Sequence, residues 1–170
     1  LRYRRDPPLV PRPLRFEIGG RIDGQGNEIE PLDLEGLDRL AETFRKDGVE
    51  AVAISFLNSY AAPGHETEAA RRLRNQLPDT YVSAGTELSR EWFEYERSAT
   101  VSANAFVGPM VAEYLGQFET TLRDRGYDGA LYMMGSNGGV LSAARARREP
   151  VKLVESGPAR GRTGAAAFAR

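Results

Sequence analysis

The chain contains no cysteine and a single histidine, His65. The first absence excludes disulfides and thiolate chemistry, and the second argues against a multi-histidine metal site or a full Ser-His-Asp arrangement. A reducing, cytoplasmic setting is the expectation. No apolar run approaches the roughly 18 residues that a membrane span requires. Charge of one sign is also missing: the formal net charge is −1, so non-specific attraction to nucleic acid or anionic lipid is not expected. The basic start, Leu1 to Asp6, runs into prolines instead of the apolar stretch of a signal peptide.

What remains is ordinary for a soluble globular chain, with 41% hydrophobic and 28% charged residues over 170 positions. It opens on Leu1 and closes in an alanine-rich stretch with no stop signal, so an internal piece of a longer protein is expected. Residues 1–13 carry four prolines and read as an extended connector. Phe16, Ile18 and Ile22 with Ile29 flank a glycine-containing loop at 23–27, the pattern of a β-hairpin. Leu34, Leu37, Leu40, Ala41 and Phe44 follow at helical spacing, with Asp33 as N-cap and Gly48 as the stop.

Residues 49–57 form a short apolar run that predicts a buried strand. A helix from Pro63 to about Leu77 carries acids early and arginines late, which suits the helix dipole. With a second strand at 81–83, the order strand, helix, strand predicts a parallel βαβ unit. An aromatic helix is expected over 90–107. Gly108-Pro109 should interrupt it, because an interior proline lacks a donor, and a second helix over 109–125 should follow. Its apolar face would be Val111, Tyr114, Leu115, Phe118 and Leu122. Further buried strands are expected at 130–134 and 151–154, then a final helix after Pro158. The fold class is α/β.

Two segments have the composition of ligand loops. Gly135-Ser136-Asn137-Gly138-Gly139 follows a strand, and its small residues would let a ligand reach backbone amides, although spacing alone favours an ordinary strand-to-helix turn. Ser156-Gly157-Pro158 sets Pro158 at a first helical position with Ser156 or Gly157 as cap, either an anion site or a plain capped helix. Arg160 and Arg162 could add phosphate or carboxylate contacts, or stay solvated. Residues 94–100 are dense in polar groups that could position a substrate, but they better suit an i,i+3 ion-pair face, Glu94 with Arg97, and a core position for Tyr95. His65 reads as a local hydrogen-bonding residue and Glu66 as a helix-start acid. No carboxylate pair stands out as a general acid and base.

Together these segments resemble the hydantoinase A / 5-oxoprolinase family. Asn58-Ser59-Tyr60-Ala61-Ala62-Pro63-Gly64-His65-Glu66 is similar to its Ser-Tyr-x-x-Pro-x-His-Glu stretch. Glu94-Tyr95-Glu96-Arg97-Ser98-Ala99-Thr100 with Asn104-Ala105 is similar to its Glu-Tyr-Glu-Arg-x-x-Thr helix. Ser136-Asn137-Gly138-Gly139 and Ser156-Gly157-Pro158-Ala159 resemble two later motifs in the right order, although Arg160 and Arg162 stand where the family has small or apolar residues.

The resemblance implies part of an actin-like (ribonuclease H-like) ATPase fold, with βαβ units and a mixed or parallel sheet. Residues 1–102 would be the end of the family's N-terminal region and 103–170 the start of its A domain. It implies ATP- and magnesium-dependent activation of cyclic amides such as 5-oxoproline or hydantoins. Alternatives are an acetone- or acetophenone-type carboxylase subunit, or a non-catalytic docking scaffold. The implied partner is a hydantoinase B-type subunit or domain. Ser136, Asn137, Gly138, Gly139, Ser156 and Gly157 are the candidate nucleotide- or substrate-binding residues; no catalytic residue and no metal ligand is assigned. The family's Asp-x-Gly-Gly-Thr phosphate loops are not among the 170 residues. This stretch alone is therefore expected to bind ATP weakly and to lack activity.

Overall fold

A computed structural model describes residues 7–158, within a chain that divides into two compact units at Phe106/Val107. The final helix expected after Pro158, with Arg160 and Arg162, lies outside the described residues.

In the first unit a small antiparallel hairpin pairs β1 (Arg21–Ile22) with β2 (Glu28–Glu30). Its loop is shaped by Asp23, whose carboxylate accepts from the Gln25 N–H at 2.9 Å and the Asn27 N–H at 2.8 Å. These strands are shorter than the apolar pattern suggested: Ile22 is buried, whereas Ile29 is exposed and Phe16 lies outside both. Helix α1 (Leu34–Lys46) starts at Asp33, which caps the Gly36 N–H at 2.8 Å. It stops before Gly48, whose φ of +64° suits glycine.

Strands β3 (Ala51–Ile54) and β4 (Tyr81–Ala84) are parallel and joined by α2 (Gly64–Gln76), so the expected βαβ unit forms. The core of this unit packs Leu37, Ala41 and Phe44 of α1 with Ile54, Leu73 and Val82. Only four residues of the 49–57 run are strand, and burial is uneven, with Ile54 and Phe56 buried but Ala53 and Leu57 exposed. A one-turn helix, α3 (Gly85–Leu88), follows β4.

Helix α4 runs unbroken from Glu94 to Asp124 with Pro109 inside it. The expected break at Gly108-Pro109 is therefore wrong. The proline removes one N–H bond, but stopping a helix and nucleating another costs several. Tyr95 is 81% exposed, not a core residue. Farther along α4, in the second unit, Leu115 is fully buried whereas Tyr114 and Phe118 of the expected apolar face are exposed, stacked at a 6.0 Å centroid separation.

The second unit contains an antiparallel hairpin of β5 (Tyr132–Met134) and β6 (Val140–Ser142), then α5 (Ala143–Arg148). The expected buried strand at 130–134 is a half-exposed hairpin arm, and residues 135–139 are a hairpin turn, not a strand-to-helix turn. The expected strand at 151–154 is also absent. Pro150–Leu153 is a 3-10 turn, because Pro150 fixes a helical φ without needing a donor and the apolar run is too short for periodicity to identify. Among the described residues the α/β class holds as three two-stranded sheets, one parallel and two antiparallel.

Candidate functional site

Two polar constructions stand at strand ends, one in each unit. In the first, the chain leaving β3 turns sharply at Asn58, whose φ is +59°. Glu66, fully buried, receives this loop: its Oε1 accepts from the Phe56 N–H at 2.8 Å and lies 2.7 Å from the Ser59 hydroxyl. Its Oε2 accepts from the Thr86 N–H at 2.7 Å. Arg97, 2% exposed, donates to Ser59 Oγ at 2.5 Å, to the Phe56 carbonyl at 2.8 Å and to Glu94 at 2.6 Å. Glu94 in turn accepts from the Asn58 N–H at 2.8 Å. The expected Glu94–Arg97 pair is present but is one corner of a larger knot. Arg97 Nε stays without a hydrogen-bond partner.

Glu66 is thus no ordinary helix-start acid. It replaces the water that three groups of the 56–59 loop and α3 would otherwise need. His65 is likewise not local: its Nε2 lies 2.8 Å from Glu28 on the β1–β2 hairpin, and its Nδ1 is buried without a partner. Sequence reasoning quoted both motifs but could not see them meet, because 31 residues separate Glu66 from Arg97.

The second construction holds the residues marked by composition. Within the hairpin turn the Gly135 N–H donates to the Gly139 carbonyl at 2.7 Å and the Gly138 N–H to the Gly135 carbonyl at 3.0 Å. Gly138 has φ +82°, so it, and not Asn137, takes the left-handed position. The Ser136 N–H and hydroxyl both donate to the Lys152 carbonyl, at 2.7 and 2.8 Å, and Ser136 Oγ accepts from the Glu155 N–H at 3.0 Å. The turn is thereby tied to the residue before Ser156. The two loops that composition marked lie side by side. Ser156, Gly157 and Pro158 are all helical, so Ser156 begins that helix and Pro158 does not.

Most of the turn's backbone amides are therefore engaged internally, against the expectation that they stand open to a ligand. Asn137 is the exception among the described hydrogen bonds. Its Oδ1 accepts from the Gly139 N–H at 2.9 Å, which fixes the exposed side-chain amide and leaves its Nδ2–H donors and the Asn137 backbone N–H without a partner among the described hydrogen bonds. Beside it opens a cleft of about 360 Å³ that also takes in Arg145 and Lys152.

Both cations bind Glu149, Arg145 Nε at 3.0 Å on Oε1 and Lys152 Nζ on Oε2. Burial pushes the Glu149 carboxyl up, but these hydrogen bonds and charges together hold it below its ordinary value. Sequence reading missed this triad. The signal was present as an acid four residues after Arg145 and three before Lys152.

Comparison with known proteins decides the family. Residues 2–77 match the hydantoinase/oxoprolinase N-terminal region, and residues 97–170 match hydantoinase/oxoprolinase. The chain belongs to the hydantoinase/oxoprolinase family. An uncharacterized protein of Methanocaldococcus jannaschii is 38% identical over 99% of this chain and 25% of its own length. The caprolactamase subunit alpha of Pseudomonas jessenii is 37% identical over 89% of this chain and 22% of its own. A crystal structure of the ATP-dependent caprolactamase from that organism superposes with a TM-score of 0.85 at 36% identity, covering 93% of this chain and 23% of the solved one. A nucleotide-free acetone carboxylase gives a TM-score of 0.84 at 25% identity, over 98% of this chain and 24% of that one.

This hydantoinase/oxoprolinase chain thus spans about a quarter of the length of these two relatives. No helix among the described residues is long and apolar enough to cross a membrane. No three His, Asp or Glu side chains among them converge as a metal site. The donors at Asn137, Arg145 and Lys152 suit the oxygens of an anion or carbonyl and repel a cation, so Mg²⁺ has no holder in this cleft.

Proposed function

We propose that the chain is part of an ATP-dependent enzyme that opens cyclic amides of the oxoproline, hydantoin or lactam kind. The observation that carries this reading is its 37% identity to the caprolactamase alpha subunit, spread over 89% of the chain. A boundary between the N-terminal region and the A domain near residue 102 and an actin-like ATPase fold belong to the same reading. So do a cytoplasmic setting and a separate or fused hydantoinase B-type partner. The subunit status of the caprolactamase relative supports the last of these.

Within this reading Ser136–Gly139 and Ser156–Gly157 form one ligand-facing corner, with Asn137 as the residue that touches the ligand. Its fixed amide donates to a carbonyl or phosphoryl oxygen, and Ser136 holds the turn against the 152–155 segment so that the donor does not need to reorganise. When bound, ATP would supply the phosphoryl group that makes a resonance-stabilised amide carbonyl easier to attack. This stretch would contribute hydrogen bonds to that chemistry, and the main nucleotide-holding groups would come from elsewhere in the protein. ATP binding by residues 1–170 alone should accordingly be weak, and calorimetry with ATP and magnesium tests that.

The decisive experiment is an ATPase and ring-opening assay of the intact protein with its partner subunit, run over cyclic amides and small ketones with bicarbonate. ATP turnover coupled to amide opening is expected. Turnover only with ketone and bicarbonate would replace this reading with the carboxylase one, and no ATP turnover under any condition would leave the docking scaffold.

A further inference from the structure

The cleft beside the hairpin turn has a charge arrangement that the amide reading does not require. Arg145 and Lys152 line it and share a single carboxylate, Glu149. The three groups together keep one positive charge in excess. Glu149 is the enclosed member, its side chain 12% exposed, against 52% for Arg145 and 39% for Lys152. The acid is thus held behind the cations rather than in front of them.

Neither cation is saturated by that pairing. Glu149 uses the Nε edge of Arg145 and pairs with Lys152 by charge, leaving the terminal guanidinium nitrogens and ammonium protons for a ligand. A planar guanidinium fork with a neighbouring ammonium is the donor set that binds carboxylate or phosphate. Asn137, whose Nδ2–H donors have no partner among the described hydrogen bonds, lines the same cleft. Val140, 68% exposed, and Leu141 supply an apolar wall. A volume of about 360 Å³ lies at the small end of the roughly 300–1,000 Å³ typical of ligand pockets, so it suits a small molecule and not a whole nucleotide.

We infer that this cleft is a receptor for the oxyanion end of a small molecule, a carboxylate or phosphoryl group, bound by Lys152 and Arg145 with Asn137 completing the donor set and Val140 and Leu141 against its hydrocarbon part. The inference names the ligand chemistry of the corner proposed above and rests on that reading for its place in the reaction. Glu149 acts as the internal competitor: it holds both cations in position while no ligand is present and weakens the site by its own charge.

The test is calorimetric titration of the intact protein with two probes, inorganic phosphate and pentanoate. At least one should bind, and whichever does identifies the source as phosphoryl or carboxylate. Lys152→Met should weaken that binding tenfold or more, and Lys152→Arg should retain most of it. Glu149→Gln should tighten it several-fold, a sign that a merely structural acid would not produce. Binding of neither probe, or binding unmoved by these substitutions, overturns the inference; so does weakening by Glu149→Gln in a protein whose circular dichroism is unchanged. Amide opening measured in parallel separates the two readings. Anion binding lost with turnover kept sinks this site alone, and anion binding without any amide turnover sinks only the proposed reaction.

Discussion

The loop after β3 and the turn after β5 have similar raw material, small and polar residues following a short strand, yet they are built for opposite ends. After β3 the polar side chains point inward and pair with one another, with Arg97 Nε left over: Glu66 and Ser59 are fully buried, and Arg97 is 2% exposed. After β5 most of the turn's backbone amides are engaged within the turn or by Lys152, and the side chains beside it, Asn137, Arg145 and Lys152, remain open to solvent with donors to offer. A buried network fixes a fold because leaving any member unpaired is expensive. An exposed set of fixed donors recognises something because pairing has been left for the ligand. Polarity alone did not separate structure from site; the destination of each hydrogen bond did.

The sharpest way to break this comparison is to remove Arg97. Arg97→Leu removes the buried guanidinium that ties the half-buried Glu94 to Ser59 and the Phe56 carbonyl, and losing hydrogen bonds to a charged group costs about 1.5–3 kcal/mol. Urea unfolding should show a drop on that scale. A change under about 1 kcal/mol would mean that the network behaves as a surface pair.

Asn137 comes next. Asn137→Asp keeps the oxygen that receives the Gly139 N–H but removes the side-chain donors, so the turn should stay folded while turnover falls roughly ten- to a thousand-fold. Asn137→Gly should lose both the side-chain oxygen and the donors, and with them a comparable share of turnover. If the glycine variant keeps full activity in steady-state assays, Asn137 is only a turn residue.

Ser136→Ala probes the tie between the two marked loops. It removes one donor to the Lys152 carbonyl and the acceptor of the Glu155 N–H, and the loss should be about 1–2 kcal/mol in thermal or urea unfolding. Faster amide exchange at Glu155 would locate the damage; unchanged exchange there would show that the tie does not form in solution.

The smallest effect lies on the surface between α1 and α2. Hydrogen bonds from Arg72 and Gln76 hold the Asp38 carboxyl at about 2. A depressed folded-state pKa gives stability that is complete above the ordinary carboxylate range near 4 and is lost as pH falls toward 2. Asp38→Asn should therefore flatten the acid limb of the stability curve between those values and lower stability slightly at pH 7. An acid limb identical to that of the parent chain would refute it.

Local chemistry was legible wherever a residue acts on its near neighbours. Asp33 capping α1, Gly48 ending it, the βαβ order around α2 and the Glu94–Arg97 pair all follow from interactions within a few positions. The loops at 135–139 and 156–157 were found by composition, but what they do with their amides was not, since the partner of Ser136 lies 16 residues away at Lys152.

Sequence by itself determined the α/β class, the family and the positions of most helices and turns, because propensity, capping and short motifs are properties of adjacent residues. Tertiary structure alone decided that α4 passes through Pro109, that residues 150–153 coil instead of extending, and that Glu66 and Arg97 meet through Ser59. It also decided which donors remain for a ligand. Each of these depends on groups brought together from distant positions, where burial sets the value of a hydrogen bond and spacing along the chain carries no record of it.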